Sequence, residues 1–417
     1  MTSHYKRWQV NKINESLKVR RVLLLSGSRQ CGKTTLAKDI ASPPHLYRTL
    51  DDILLLSAAQ TDPHGFVKHE DNLMIIDEIQ RAPLLLQAIK MDVDNNTKPG
   101  RFLLTGSANI ESIPTAKESL AGRVRHIRLR PLAIGEIEGL TPAFLQRAFN
   151  NTFSQDITFN YLPRLSFKDL YISYALTGGY PEVLKFEKER DRRDWFEDYI
   201  NAMIHRDLKD IMNIKRIDEM RQLITIMAGW SSRFIDFTRI GASLTLTRPT
   251  LTAYINALEA LYLVERVPPW TKTAYDKVGK HDKLFMTDTG MIGALLGWTF
   301  EHVQFDGARN GMLLETFAFT QLAALLDCQA ERYILSHYRD RENREIDFIV
   351  ENEQGALVGI EVKPGSVVSN DDFKHLRWFK ERMALDMPFT GIVLYSGNYC
   401  VPFGDGFWAI PLHALWQ

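Results

Sequence analysis

A glycine-rich loop followed by a lysine and two threonines carries the clearest chemistry in this sequence. Gly27 and Gly32 enclose four residues, and Lys33, Thr34 and Thr35 follow directly. An apolar run precedes this loop and a helical pattern follows it, as in phosphate-binding strand–loop–helix motifs. The glycines let successive backbone N–H groups face one point, to which the start of the helix adds partial positive charge. The spacing predicts a site for a nucleotide phosphate chain.

Each residue of this loop has an expected task if the ligand is ATP. Lys33 is expected to reach the β- and γ-phosphates, and the Thr34 hydroxyl is expected to contact Mg²⁺. The residues expected to surround the phosphates are Gly27, Ser28, Arg29, Gln30, Cys31, Gly32, Lys33, Thr34 and Thr35. The alternative is a strand–helix turn that contains glycines and binds no ligand.

A second apolar run, residues 73–76, ends in two carboxylates, Asp77 and Glu78. This is the pattern of a Walker B strand. Asp77 is expected to hold Mg²⁺ directly or through water, and Glu78 to act as general base on the attacking water. The alternative is a strand whose end simply meets solvent.

Two further groups are candidates for the same site. Thr105 and Ser107 follow an apolar strand at 101–104 and are expected to sense the γ-phosphate or the attacking water. Arg123 precedes a strand at 124–129 and is expected to supply charge to the transferring phosphate, in its own site or in a neighbouring subunit's. The plain alternatives are loop residues and a solvated basic face.

These groups need a scaffold that brings several strand ends together. Apolar strands alternate with helical segments over residues 1–145, which predicts a parallel α/β sheet. In such a sheet the site lies at the carboxyl ends of the strands. The loop and both sets of strand-end residues are therefore expected to meet there.

The order of these motifs resembles a family of prokaryotic AAA+-like P-loop ATPases. The segments that carry the resemblance are the loop 27–35, the strand end 77–80, and residues 103–107 and 121–136. Members of that family carry a C-terminal domain of unassigned function, and the Gly-Gly-Tyr-Pro turn at 178–181 is also typical of them. The resemblance extends over nearly the whole chain. It implies an ATPase with ATP and Mg as cofactors, and it implies no particular biological process.

The middle of the chain is expected to contain two helical domains. Residues 146–215, with a long charged helix at 191–211, are interpreted as a helical lid and linker. Residues 216–295 are interpreted as a winged helix, with helices at 219–228, 235–240 and 250–261 followed by two wing strands. Arg248 is the only strong cation on the third helix. Both a protein-contacting domain and a DNA-binding one therefore remain open.

The last domain, residues 296–417, holds a second set of chemical residues. Asp347 lies in a strand at 345–350, and Glu361 and Lys363 lie in the strand at 356–363. Residues two apart in a strand share a face, so Glu361 and Lys363 point together. Glu315 lies on an amphipathic helix upstream. A helix, three strands, a helix and a strand in this order resemble the PD-(D/E)xK restriction-endonuclease-like fold.

That resemblance implies a divalent cation held by Asp347 and Glu361, with Glu315 as an additional ligand. Lys363 would orient the attacking water or stabilise the developing charge. No proline precedes Asp347, in contrast to the strict motif. Two alternatives remain open: an ion-pair network on an ordinary mixed sheet, and a nuclease-like domain that binds nucleic acid or protein without cutting.

The composition bounds these hypotheses. Lys and Arg number 51, as do Asp and Glu, so no global basic field favours nucleic acid. The three cysteines have no metal-type spacing and suggest a reducing compartment. No apolar run approaches the ~20 residues that span a bilayer. We expect a cytoplasmic protein without a membrane partner, and a homo-oligomer if Arg123 acts between subunits.

The leading hypothesis is an ATPase coupled to a nuclease-like domain that acts on or binds DNA or RNA. The alternative is a nucleotide-dependent regulatory switch or a protein-remodelling ATPase whose nuclease-like tail is an inactive binding module. The simultaneous presence of Asp347, Glu361 and Lys363 favours the first hypothesis.

Overall fold

The structure is a computed structural model that describes residues 5–40, 45–70, 72–107, 122–154, 166–208, 217–272 and 281–417. The chain forms two compact units, one of Met1–Leu132 with Asn256–Leu263 and one of Ala133–Ile255 with Val264–Gln417. The finer division into four domains, at 1–145, 146–215, 216–295 and 296–417, stays a prediction from the sequence.

The first unit contains a parallel β-sheet. Its strands are β1 (Val22–Ser26), β2 (His45–Thr49), β3 (Leu73–Asp77), β4 (Phe102–Gly106) and β5 (Val124–Arg128). The order across the sheet is β2-β3-β4-β1-β5, and every neighbouring pair is parallel. Strand β4 thus lies between β1 and β3. The residues that follow β1, β3 and β4 consequently start from one edge of the sheet.

Helices cover both faces of this sheet, which explains why its central strands β1, β3 and β4 are apolar over most of their length. The described helices of the unit are α1 (Val10–Val19), α2 (Lys33–Ile40), α3 (Ile53–Thr61), α4 (Pro63–Val67) and α5 (Leu85–Asn95). Alternate residues of β1 enter two different cores: Val22 and Leu24 pack into one, and Leu23 and Leu25 into the other.

Strand β4 extends further than the sequence pattern predicts. Thr105 pairs with Leu25 and Gly106 pairs with Ser26 in the ladder between β4 and β1. The predicted strand at 101–104 was therefore too short, because the backbone pairing continues through small polar residues. Residues 108–121, which include part of the segment preceding Arg123, lie outside the described residues.

The second unit contains most of the helices and two further sheets. Its helices, numbered on, are α6 (Ile134–Ile137), α7 (Phe144–Asn150), α8 (Phe167–Thr177), α9 (Glu189–Ala202), α10 (Ile217–Gly229), α11 (Phe237–Leu244), α12 (Arg248–Ala260, which extends into the first unit), α13 (Thr289–Leu296), α14 (Phe300–Gln304), α15 (Gly307–Cys328) and α16 (Lys374–Arg382). A small antiparallel sheet has the order β6-β8-β7, where β6 is Arg233–Phe234, β7 is Val264–Val267 and β8 is Lys283–Met286.

Two helices differ from their predicted bounds. The helix expected at 191–211 is α9, which ends at Ala202 and continues as the π-helical turn Met203–Asp207. Residues 209–216 lie outside the described part of the chain. The helix expected at 235–240 is α11, which begins later because the Asp236 side chain accepts the N–H groups of Thr238 and Arg239 as its N-cap.

The larger sheet of this unit has the order β13-β14-β12-β11-β10-β9. Its strands are β9 (Tyr333–Arg339), β10 (Glu345–Asn352), β11 (Leu357–Lys363), β12 (Phe389–Tyr395), β13 (Val401–Pro402) and β14 (Phe407–Pro411). Pairing is antiparallel from β9 to β11, parallel from β11 through β12 to β14, and antiparallel again at β13. The sheet is therefore mixed.

Helix α15 is long and apolar enough, by length and composition alone, to cross a membrane. Within this unit 67% of its most apolar stretch is buried. Phe319 on this helix stacks on Phe285 of β8 with ring centroids 4.4 Å apart. The burial accounts for its apolar composition as that of a core helix.

A close contact joins the Gly-Gly turn after α8 to the start of α13. Gly178 has φ +79°, and a Cβ there would lie 2.4 Å from Oδ1 of Asp288. Gly179 donates its N–H to Oδ2 of Asp288 at 2.7 Å, and Met291 donates its N–H to Oδ1 at 3.1 Å. Glycine is needed at position 178 for both its backbone conformation and its lack of a side chain.

Candidate active site

The loop between β1 and α2 has the curled backbone that its glycines predict. Gly32 has φ +102°, a conformation that L-residues rarely adopt. A Cβ on Gly27 would lie 2.0 Å from the carbonyl oxygen of Leu129, so only glycine fits there. The Lys33 ammonium donates to the carbonyl oxygens of Gly27 and Ser28 at 3.0 and 2.8 Å. The cation therefore lies inside the curve of the loop.

The other loop residues divide into buried and exposed ones. Ser28 and Cys31 are buried, Arg29 and Thr34 are half-buried, and Gln30 and Thr35 are exposed. The buried Ser28 hydroxyl has no hydrogen-bond partner among the described residues. An unpaired hydroxyl next to a buried ammonium suits a loop that accepts a polar, anionic ligand.

Arg7 fixes this loop from outside the motif. Its guanidinium donates to the carbonyl oxygen of Cys31 at 2.8 Å and to that of Arg130 at 2.6 Å. Arg7 is itself buried. A single planar side chain thus ties the loop to the segment that follows β5.

Three hydroxyl groups donate to the carboxylate of Asp77. Thr34 Oγ1 lies 3.0 and 3.1 Å from its two oxygens, and the Tyr47 hydroxyl lies 2.8 Å from Oδ2. Thr105 makes a further short hydrogen bond to Oδ1. The pairing of the predicted metal ligands Thr34 and Asp77 brings a hydroxyl and a carboxylate together at the mouth of the loop. These oxygen ligands fit Mg²⁺.

The general-base candidate Glu78 is held by two polar side chains. Gln80 Nε2 donates a short hydrogen bond to Glu78 Oε2, and Ser107 Oγ donates to the same oxygen at 3.2 Å. Gln80 also donates to Ser107 Oγ at 2.9 Å. The Glu78 N–H donates to Thr105 Oγ1 at 3.2 Å. The predicted sensors Thr105 and Ser107 therefore contact the two acidic residues directly.

The surroundings of Tyr47 raise the pKa of its hydroxyl group. Burial raises the pKa of its hydroxyl well above the usual value, and the hydrogen bond to Asp77 and the charge of that carboxylate raise it further. The hydroxyl consequently stays protonated at neutral pH and acts as a donor to Asp77.

Arg123 lies apart from these residues. It precedes β5, and Val124 pairs with Val22 at the amino end of β1. The phosphate loop follows the carboxyl end of β1, whereas Arg123 lies beside the amino end of the same strand. Arg123 forms a two-point ion pair with Asp94, at 2.6 and 3.0 Å. A contact with the phosphates of its own loop is thus excluded by the register, and its use by a neighbouring subunit stays a prediction.

A second group of predicted residues meets in the larger sheet of the second unit. Asp347 lies on β10, one step beyond the Phe348–Ile360 pair, and so opposes Glu361 on β11. Asp347 Oδ2 accepts the N–H of Val362 at 2.9 Å. Lys363 Nζ lies 3.5 Å from Glu361 Oε2. The structure therefore brings Asp347, Glu361 and Lys363 together. Glu315 of α15 is connected to Asp347 through a shared lysine.

The centre of this acidic cluster holds a lysine that the sequence reasoning missed. Lys283, the first residue of β8, places its ammonium 2.6 Å from Glu315, 2.8 Å from Glu345 and 3.1 Å from Asp347. Its side chain is 2% exposed. The three carboxylates come from α15 and β10, so one ammonium joins three elements.

Burial dominates the electrostatics of the acidic cluster. Burial, followed by the charge of Asp347, raises the pKa of Glu315 to about 8, although Lys283 opposes this rise. It also raises the pKa of Glu361 well above the usual range, and Asp347 adds to that rise. The carboxylates raise the pKa of Lys283 despite its burial. The lysine is therefore charged at neutral pH.

The residues of the acidic cluster do not fit a resident divalent cation. The position among the carboxylates is taken by the Lys283 ammonium, and both oxygens of Asp347 have partners. Within the described parts of the chain, no group of three or more His, Cys, Asp and Glu side chains is arranged to hold a metal ion. The metal-ligand prediction for Glu315, Asp347 and Glu361 finds no support in this geometry.

The basic residue Arg344 near this sheet is also paired with acids. Arg344 contacts Asp340 at 2.6 Å and Glu342 at 3.0 Å, and its guanidinium lies 3.8 Å from the ring centroid of Trp378. The interleaved acids Asp340 and Glu342 thus neutralise the charge of this guanidinium.

Comparisons with known proteins agree with the nucleotide-site geometry. The model of a family described as an AAA domain matches residues 19–138. Two families described only as domains of unknown function, DUF8612 and DUF4143, match residues 168–302 and 310–415. The AAA match spans the phosphate loop, the acidic pair and the sensor candidates.

Relatives and solved structures were also found. An uncharacterized protein of Mycobacterium tuberculosis is 27% identical over 402 residues, which cover 94% of this chain and 80% of that protein. One of Methanocaldococcus jannaschii is 22% identical and covers 84% of this chain and 77% of its own length. Among solved structures, the Thermotoga maritima RuvB Holliday junction branch migration motor is 18% identical, covers 65% of this chain and 94% of its own, and has a TM-score of 0.28. By its family matches, the chain thus contains an AAA domain at residues 19–138, followed by regions whose matching family models assign no function.

Proposed function

We propose that this chain hydrolyses ATP at the site formed by the phosphate loop and the end of β3. The observation that carries the proposal is the contact of the Thr34 hydroxyl with both carboxylate oxygens of Asp77, beside the buried Lys33 ammonium. A cation, a hydroxyl and a carboxylate brought together at a glycine-rich loop are the parts that phosphoryl transfer to water requires.

Each residue has a defined task in the proposed reaction. The loop amides and Lys33 bind the β- and γ-phosphates and fix the γ-phosphate in place. Thr34 and Asp77 would hold Mg²⁺, which when bound neutralises charge on the phosphate oxygens. Glu78 accepts a proton from the water that attacks the γ-phosphorus. Gln80 and Ser107 orient the Glu78 carboxylate for that transfer.

Steady-state ATP turnover by the purified full chain tests this proposal. We expect loss of turnover in Lys33→Ala and in Glu78→Gln, with ATP binding weakened only in the first variant. Matched controls are Lys68→Ala and Glu70→Gln, because both residues are exposed in the same unit. Turnover at the wild-type rate in both site variants would overturn the assignment.

For the second unit we propose a binding module that ATP hydrolysis controls. The meeting of Asp347, Glu361 and Lys363 supports the nuclease-like interpretation of this sheet, whereas the Lys283 ammonium among the carboxylates disfavours metal-dependent cutting. The small sheet and helices α10 to α12 suit the predicted winged helix, with Arg248 exposed at the start of α12. DNA and RNA remain the proposed partners.

Cleavage and retention assays separate the two interpretations of this unit. Plasmid and single-stranded DNA and RNA are incubated with Mg²⁺ or Mn²⁺, with and without ATP, using wild type and Glu361→Ala. A binding module retains nucleic acid in a salt-dependent way without cutting it. Metal-dependent cutting that disappears in Glu361→Ala would instead establish the nuclease.

Three further proposals concern the setting of the molecule. Cys31, Cys328 and Cys400 form no disulfide, which supports work in a reducing compartment such as the cytoplasm. We also propose that the protein has no membrane partner. A homo-oligomer would let Arg123 reach a neighbouring site by leaving Asp94. Sedimentation of the ATP-bound Glu78→Gln variant tests whether the chain forms an oligomer. ATP turnover by an Arg123→Ala variant tests whether Arg123 acts in a neighbouring subunit's site.

A further inference from the structure

The position of Lys283 bears on what the acidic cluster of α15, β10 and β11 can bind. An ammonium has three N–H donors and no acceptor. Lys283 donates to Glu345 and Asp347 at 2.8 and 3.1 Å, and its ammonium forms an ion pair with Glu315 at 2.6 Å. Two of these three partners, Glu315 and Asp347, are residues that the sequence pattern predicts around a metal ion.

The fold prepares this position for Lys283 from another sheet. Strand β8 pairs with β6 and β7, with Lys283 opposite Phe234 and Val267. Helix α15 supplies Glu315 and stacks Phe319 on Phe285, two residues after the lysine. The backbone of β8 is therefore fixed on both sides, and its first side chain enters the cluster.

A divalent cation and a buried ammonium cannot share these carboxylates. At separations of a few ångströms in a poorly solvated site, like charges repel strongly. The ammonium in turn could not leave without exposing several buried carboxylates to mutual repulsion. The cluster therefore has one cation position, and this position is occupied by the chain itself.

We propose that Lys283 takes the place of the metal ion in a nuclease-like centre, so that this centre is metal-free and serves to fasten β8 to the larger sheet. The inference concerns the second unit alone and does not depend on ATP hydrolysis. It predicts that removal of the ammonium turns the cluster into a divalent cation site.

Binding of Mn²⁺ to the nucleotide-free full chain tests this inference. All proteins carry Asp77→Asn, which removes the metal ligand of the ATP site. Bound Mn²⁺ is measured by electron paramagnetic resonance, and thermal unfolding is recorded with and without Mn²⁺. The variants on this background are Lys283→Met, Lys283→Met with Asp347→Asn, and, as an exposed-lysine control, Lys374→Met.

The background protein and the Lys374→Met control are expected to show no saturable Mn²⁺ binding. Lys283→Met is expected to bind one Mn²⁺ per chain in a saturable way. Mn²⁺ should also raise its unfolding temperature. The added Asp347→Asn change is expected to abolish both effects.

Two results would overturn the inference. One is saturable Mn²⁺ binding by the Lys283-containing background protein that disappears in Glu361→Gln, since this would show a resident metal. The other is a folded Lys283→Met protein that takes up no Mn²⁺. If Lys283→Met does not fold, adding Glu345→Gln reduces the repulsion among the remaining carboxylates. The Mn²⁺ titration of the background protein still shows whether the cluster with Lys283 in place holds a metal.

Discussion

The hydroxyl of Tyr47 on β2 donates a 2.8 Å hydrogen bond to Oδ2 of Asp77 at the end of β3. The two strands are neighbours, and Thr49 pairs with Asp77 in their ladder. Tyr47 lies two residues before Thr49, and its side chain reaches along the strand to the carboxylate. Asp77 is thus oriented from β2 as well as from the phosphate loop.

We expect Tyr47→Phe to weaken the use of Mg²⁺ in ATP turnover. Loss of a hydrogen bond to a charged group typically costs about 1.5–3 kcal/mol, which corresponds to roughly a tenfold or larger effect. The concentration of Mg²⁺ that gives half-maximal turnover should rise accordingly, while the fold is kept. Thr61→Val is the control, since the Thr61 hydroxyl donates to Ser57 O on an exposed helix. An unchanged Mg²⁺ dependence in Tyr47→Phe would show that Tyr47 is dispensable.

Replacement of Gln80 by alanine tests how Glu78 is oriented. Gln80 Nε2 bridges Glu78 and Ser107, so its loss leaves the carboxylate with fewer fixed contacts. We expect kcat to fall about tenfold, in the range of a lost hydrogen bond to a charged group, with KM for ATP nearly unchanged. A purely structural role would instead lower stability and leave kcat of the folded protein unchanged.

Arg7 is expected to contribute to nucleotide affinity without touching the nucleotide. Arg7→Ala removes the hydrogen bonds to the carbonyl oxygens of Cys31 and Arg130 and frees the loop backbone. We expect the Kd for ATP to rise about tenfold, as for the loss of one or two net hydrogen bonds. Lys6→Ala is the matched control because Lys6 is exposed beside it. Equal Kd values for Arg7→Ala and wild type, measured by titration calorimetry, would contradict this assignment.

Asp288 is expected to make the stability of the second unit dependent on pH. Burial raises its pKa from 3.8 to about 6, against the lowering effect of the N–H donors Gly179, Met291 and Gly290. The folded state therefore holds a proton that the unfolded chain releases. This contribution is fully present below pH 3.8 and is lost as the pH rises through about 6. It amounts to about 3 kcal/mol.

The variant Asp288→Asn should remove this part of the pH dependence, because asparagine has the shape of the protonated acid and does not titrate. Denaturant unfolding of both proteins between pH 4 and 7 measures the difference in slope. Asp306→Asn, at the exposed N-cap of α15, is the control. If the unfolding free energies of Asp288→Asn and wild type change in parallel with pH, Asp288 is not the source of the pH dependence.

The nucleotide site was predictable because its chemistry is local in sequence. Gly27 to Thr35 form one loop, and Asp77 and Glu78 adjoin at one strand end, so pattern and strand order suffice to bring them together. The position of Thr105 and Ser107 near the acidic pair follows from the pairing of β4 with β3, although β4 is longer than expected. These contacts depend on backbone pairing, which apolar strands indicate well.

The residues that sequence reasoning missed depend on side chains that meet from distant elements. Tyr47 looks like an ordinary strand residue, and Gln80 like part of a turn. Lys283 lies 32 residues before Glu315 and 64 before Asp347, on a strand of a different sheet. Arg123 precedes a strand, as the sequence predicts. Only the parallel register of β5 with β1 shows that this strand begins at the end of the sheet opposite to the phosphate loop. Such relationships are set by tertiary packing, which a local pattern does not contain.

The contact between Gly178 and Asp288 also limits how this protein can be recombined with its relatives. A Cβ on Gly290 would lie 2.6 Å from the carbonyl oxygen of Thr177, so both stretches are shaped to each other at backbone distance. A chimera that takes residues 166–208 from one relative and 281–296 from another would join two surfaces that were never selected together. Crossover points should therefore be placed so that both stretches come from the same parent.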